Sequence, residues 1–202
     1  SSEEFTYYPN GKEAVREKLE LVERTQKLLA ERGAELLVVL VPAKARIYPE
    51  YLGRYKFPSY NETLYSDFSL LLKEAGISYI NLLDTFNEAK KEQAVFLRTD
   101  THWTPYGAAL AAEDVAKLVK RQNLLPSLGS IDYKTAIGDV EAHEGDLLNF
   151  IPLRSLQEVI GPEFDKLELR ATEQTSDAES GGLFGELNIP VTLVGTSYSA
   201  NS

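Results

Sequence analysis

The run Glu35-Leu36-Leu37-Val38-Val39-Leu40-Val41-Pro42 limits this chain more than any other stretch. A strand with one wet face alternates apolar and polar side chains. This run is apolar on both faces and so predicts a strand covered on both sides, as in a parallel sheet. The residues before it, from Asn10 to about Arg32, are charged with Val15, Leu19, Val22 and Leu29 at helical spacing, and Gly33 is placed to stop the helix. Further on, the pattern predicts a helix from about Glu62 to Ala75 stopped by Gly76, a strand in "ISYINL", a short helix in "DTFNEAKKE" and a third short apolar run, "AVFL". Helix and strand alternate, which places the chain in the α/β class with a doubly wound sheet.

Between the first strand and the Glu62 helix, "AKARIYPEYLGRYKFPSYN" reads as a long loop leaving the strand's carboxyl end, where ligands of open α/β sheets bind. From Asn123 to about Asn188 prolines and glycines are frequent, and the expectation is a β-rich or loop insertion with short strands at "IDYKTAI" and "KLELRAT". "IPVTLVGTSYS" then reads as another buried strand ending in a glycine turn that carries serines.

Composition narrows function mainly by exclusion. With 202 residues, 43% of them hydrophobic, the chain can bury a full core. Twenty-one basic against 31 acidic residues give a formal charge of −10, which argues against nucleic acid or an anionic membrane surface as the main partner. No cysteine is present, so thiolate metal sites and Cys nucleophiles are excluded. No methionine is present, and the opening "SSEEFTYYPN" carries neither a basic nor an apolar run. The expectation is one catalytic domain over residues 1–202, cut at both ends, and either the protein is cytosolic or a targeting segment lies outside this span.

The stretch "RTDTHWTPYG" carries the chemistry. In an extended segment residues i and i+2 project to one side, so Asp100 can hold Nδ1 of His102 and leave Nε2 to act on a serine. Thr104 can N-cap the following helix, and Pro105 suits its first position. Ser197, which follows Gly195 at the end of an apolar run, sits where a tight turn can expose a nucleophilic hydroxyl and begin a helix whose amides face an oxyanion. Ser199 is the alternative nucleophile, set further into the expected helix. Each motif also has an ordinary reading: a helix-preceding turn, a plain glycine turn, and Trp103 as a core anchor instead of a pocket wall. His143, among three acids in "EAHEGD", reads as a solvated loop residue in preference to a metal ligand.

Taken together, these blocks resemble a known family. "DTHWTPYGAALAAEDVAK" is similar to the closing block of SGNH-type esterases, and "LVGTSYS" is similar to their opening block. The reversed order, together with "VPAKARIYPEYL", resembles the circularly permuted alginate O-acetyltransferases of the AlgJ/AlgX type. Because no carbohydrate-binding module is visible, the AlgJ side of that family is the closer one. The resemblance implies a three-layer α/β/α fold with a mostly parallel sheet. It also implies a Ser197–His102–Asp100 triad that passes acetyl groups through an acetyl-serine to hydroxyls of an exopolysaccharide. It further implies a periplasmic setting, attachment to the inner membrane, a membrane-bound acyl-transfer partner, other exopolysaccharide assembly proteins, and no metal or other cofactor. Here the pair is spaced DxH where SGNH hydrolases have DxxH. No GxND-like block supplies an oxyanion asparagine, so the Ser197 amide is the one donor named. Lys44 and Arg46, with Arg54 and Lys56 on the same loop, are candidates to contact a polyanionic acceptor, as are the aromatic neighbours Trp103 and Tyr198; solvated loop charge is the competing reading of the basic group. A carbohydrate acetylesterase and a non-catalytic scaffold of a polysaccharide secretion complex are the alternative functions.

Overall fold

A computed structural model describes residues 11–125, 132–151, 153, 156–175 and 191–196. Two compact units are present: residues 1–94 with 110–118, and residues 95–109 with 119–202.

In the first unit the amphipathic pattern forms α1, Gly11–Ala30, and the chain turns at Gly33. Gly33 has φ +73° and Gly76, after the second long helix, has φ +69°, a left-handed conformation that a side chain would strain. The apolar run forms β1, Leu37–Leu40, which pairs in parallel with β2, Ser78–Asn81, Leu37 lying opposite Ser78 and Leu40 opposite Asn81. Helix α3, Leu64–Glu74, precedes β2, and α4, Leu83–Ala89, follows it. The core of this unit gathers Ile47, Leu72, Ile77, Ile80, Leu82 and Phe86, all buried.

Three expectations for the fold need correction. Residues of β1 are only half-buried, because among the described residues the parallel sheet has two strands and each lies at an edge. The stretch after β1 is not an irregular loop: it forms a short helix α2, Lys44–Ile47, and 3₁₀ turns at Pro49–Leu52 and Ser59–Asn61. Residues 191–196 form no strand and are exposed, Val194 at 88%. An apolar run states what a strand could bury but does not supply the neighbouring edge with which to pair.

In the second unit, Tyr133–His143 (β3) and Asp165–Gln174 (β4) form an antiparallel pair, with a register shift between Ile137 and Val140. These strands overlap the two predicted in this region: β3 begins at Tyr133, two residues into "IDYKTAI", and runs on to His143, while β4 contains all of "KLELRAT". Helix α5, Pro105–Gln122, starts and ends where the sequence places it. Among the described residues, no helix is long and apolar enough to cross a membrane.

Candidate active site

The site lies in the second unit, on a tight reversal between Val95 and Thr104. Val95, Phe96 and Leu97 are buried and anchor one arm. The other arm pairs back on it: Phe96 bridges Trp103, the Leu97 amide donates to the His102 carbonyl at 3.1 Å, and the Thr104 amide donates to the Val95 carbonyl at 3.0 Å. "AVFL" is therefore one arm of a hairpin-like turn and not a strand of the parallel sheet. The turn passes straight into α5, where the Thr104 hydroxyl accepts from the Gly107 amide at 3.1 Å and Pro105 occupies the first turn. A Cβ on Gly107 would lie 2.4 Å from the Val95 carbonyl oxygen, so glycine there lets the helix start sit against the turn.

Asp100, 4% exposed, stands at the tip of this reversal. Its Oδ1 faces Nδ1 of His102 at 2.5 Å and accepts from the His102 amide at 2.8 Å. Its Oδ2 faces Nε2 of His143 at 2.9 Å and accepts from the Asp146 amide at 3.1 Å. A carboxylate only accepts, so the ring nitrogens turned to it carry the protons: Nδ1–H in His102 and Nε2–H in His143. Burial alone raises the carboxyl's pKa. The donors outweigh it, His143 most of all, followed by the His102 amide, the His102 ring and the Asp146 amide, and they hold Asp100 well below the usual carboxylate range. Asp100 is thus an anion at neutral pH, and Nε2 of His102 is the ring atom turned away from it.

Other carboxylates hold the turn in shape. Asp146 accepts from the Thr101 amide at 2.8 Å and from the Thr101 hydroxyl at 2.5 Å. Asp165 accepts from the amides of Arg98 at 2.6 Å and Thr99 at 2.7 Å, and from the Thr99 hydroxyl. Gly145 fits against the turn's backbone: a Cβ there would stand 2.1 Å from the Thr99 carbonyl oxygen.

The structure thus brings Asp100 and His102 together, with Trp103 beside them in the chain and engaged with Phe96. Ser197 and Tyr198 lie outside the described residues. Lys44 and Arg46 lie on α2 of the first unit, where the Arg46 guanidinium donates to the carbonyls of Asn61 and Glu62 and stacks on Phe57, 4.6 Å from its ring centre. Reading the sequence missed His143, Gly145, Asp146 and Asp165. His143 is not a solvated loop residue, since it bonds to Asp100. The one available signal was the clustering of His143, Gly145 and Asp146 in "EAHEGD", which names chemical types but not a target 43 residues away. Asp100, His102 and Asp146 offer ligand atoms within 4.8 Å of one another, and both carboxylates are also engaged in the hydrogen bonds just described.

Comparison with known proteins bears on the same span. Residues 1–202 match the family described as the SGNH hydrolase-like domain of the acetyltransferase AlgX. The chain is 39% identical over 203 residues to the Azotobacter vinelandii protein named "Probable alginate O-acetylase AlgJ", covering all of this chain and 52% of that relative. It is 29% identical over 183 residues to the alginate biosynthesis protein AlgX of Pseudomonas aeruginosa, covering 85% of this chain and 36% of that one. The solved O-acetyltransferase domain of Pseudomonas putida AlgJ superposes with a TM-score of 0.85 at 38% identity, over 98% of this chain and 66% of that structure. The α/β class and the SGNH hydrolase-like fold follow from these matches. The chain spans about half the length of the AlgJ relatives it matches.

Proposed function

We propose, because this chain belongs to the family of SGNH hydrolase-like domains of the acetyltransferase AlgX, that it is an O-acetyltransferase domain acting on hydroxyls of alginate. The observation that carries this reading is the buried Asp100 carboxylate 2.5 Å from Nδ1 of His102, a base and its orienter on the fold of an O-acetyltransferase domain.

The steps follow the roles of a serine triad. Nε2 of His102 takes the Ser197 hydroxyl proton as Oγ attacks the acetyl carbonyl of the donor. The tetrahedral intermediate collapses to an acetyl-Ser197 ester, and the donor's leaving group departs with the proton from His102. A sugar hydroxyl then gives its proton to the same nitrogen and attacks the acetyl carbon. Collapse leaves the O-acetyl sugar, and His102 returns the proton to Ser197. Asp100 stabilises the imidazolium in both halves, and the Ser197 amide is the proposed oxyanion donor. Lys44, Arg46, Trp103 and Tyr198 are proposed to contact the acceptor. The setting proposed is the periplasm at the inner membrane, with a membrane-bound acyl-transfer partner and other exopolysaccharide assembly proteins.

The test is release of chromophore from 4-nitrophenyl acetate by wild type and by Ser197→Ala, His102→Ala and Asp100→Asn. Loss of about 10³-fold or more is expected in the first two, and a loss on the order of 10²-fold or more in Asp100→Asn. A wild type no faster than Ser197→Ala sinks the nucleophile assignment. Adding oligomannuronate and weighing it by mass spectrometry separates transfer from hydrolysis: acetylated sugar supports the transferase, and acetate alone points to an acetylesterase.

A further inference from the structure

The triad mechanism uses one oxygen of Asp100, Oδ1, and leaves unexplained why a second histidine stands on the other. We propose that His143 is a positioning residue of the acyl-transfer site: its Nε2–H, with the Asp146 amide, pins Oδ2 of Asp100 and so fixes the plane in which the carboxylate holds His102. The inference rests on the reading of Asp100 and His102 as orienter and base.

The terminal torsion of an aspartate is broad, so a carboxylate gripped through one oxygen can swing about its Cβ–Cγ bond. Gripping both oxygens from opposite sides removes that freedom, and the ring hydrogen-bonded to Oδ1 inherits the orientation. Asp100 is 4% exposed, so loss of the His143 donor leaves Oδ2 to the Asp146 amide alone, with a lone pair poorly placed to find water.

The placement of His143 favours support over chemistry. It is the last residue of β3, lies opposite Asp165 across the β3–β4 ladder, and presents one ring nitrogen to Asp100 while its side chain remains one-third exposed. A single rung therefore reaches the turn twice: His143 binds Asp100, and Asp165 binds the amides of Arg98 and Thr99. The hairpin is the jig on which the base's orienter is set. His143 touches no atom that reacts in the proposed steps.

Three variants separate positioning from mere stapling. Gln places an amide N–H where Nε2 stands, Asn is too short to reach, and Ala removes the donor. With 4-nitrophenyl acetate, His143→Ala and His143→Asn should lower kcat roughly tenfold or more while KM stays within about twofold, and His143→Gln should recover most of the loss. The chain has two histidines, so a ¹⁵N-histidine spectrum resolves both rings. Wild type should show opposite tautomers, Nδ1–H in His102 and Nε2–H in His143. The far-downfield His102 Nδ1 proton should broaden or move upfield in the Ala and Asn variants and persist in Gln. Folded Ala or Asn variants with wild-type kcat and an unmoved His102 proton overturn the proposal, as does a Gln variant no better than Asn. If wild type is no faster than Ser197→Ala, it is the functional reading that falls. The His102 proton, compared between wild type and His143→Asn, still decides whether His143 positions Asp100.

Discussion

Asp100 concentrates the electrostatics of the site in one residue. Folding removes it from water and surrounds it with His143, the His102 amide and ring, and the Asp146 amide, which together depress its pKa despite burial. The sign follows from linkage: a carboxyl lower in the folded than in the unfolded chain stabilises the fold in full above its ordinary value of 3.8, and that contribution is lost as pH falls below it. Thermal unfolding followed between about pH 2 and 6 should therefore show an acid-side loss of stability that is smaller in Asp100→Asn. Gly145 acts through shape. An added methyl would meet the Thr99 carbonyl oxygen at 2.1 Å and the Asp100 amide nitrogen at 2.6 Å, and both neighbours are backbone that cannot swing aside. Gly145→Ala is expected to cost on the order of 1–3 kcal/mol in denaturant unfolding and to lower esterase turnover as well, because the atoms displaced are those that carry Asp100. Wild-type stability in that variant would show that the turn moves more easily than its contacts imply.

At the scale of elements, what is local was legible and what is distant was not. The stop at Gly33, the stop at Gly76 and the Thr104–Pro105 start of α5 each depend on residues within one turn of the boundary, and each stands where the sequence puts it. The spacing of Asp100 and His102 is local too, and the two meet. His143, Gly145, Asp146 and Asp165 reach the turn from more than 40 residues away, through the pairing of β3 with β4, and no period or motif encodes that distance. The exposed run 191–196 shows the converse: its apolar pattern is real as composition, yet no buried strand forms there. The cap of α5 is directly testable. Thr104→Ala removes the acceptor for the Gly107 amide and should destabilise by about 1 kcal/mol, read as a lower Tm by calorimetry. The Thr104 amide still donates to the Val95 carbonyl in this variant, so the turn keeps that tie and turnover should change less than stability.

For the chain as a whole, net charge bears on how the proposed acceptor would be met. A chain of formal charge −10 repels a uronate polymer over the distances that salt screens, whereas a neutral acetyl ester feels little of that field. Raising ionic strength from about 0.02 to 0.2 M should lower KM for oligomannuronate and leave KM for 4-nitrophenyl acetate nearly unchanged. A KM for oligomannuronate that rises with salt would mean that a local basic surface, with Lys44 and Arg46 as its candidates, governs capture instead. The way the turn is suspended also shapes how the molecule breathes. The amides of Arg98, Thr99, Thr101 and His102 donate to aspartate side chains, not to a strand ladder. Their deuterium uptake therefore reports the grip of these aspartates, one of which, Asp165, stands on the β3–β4 ladder. Asp165→Asn, which leaves one acceptor oxygen for two amides, should speed exchange at Arg98 and Thr99 while the rungs of β3 and β4 away from residue 165 keep their protection. The turn that carries Asp100 and His102 would then have a lifetime of its own, set by three carboxylates.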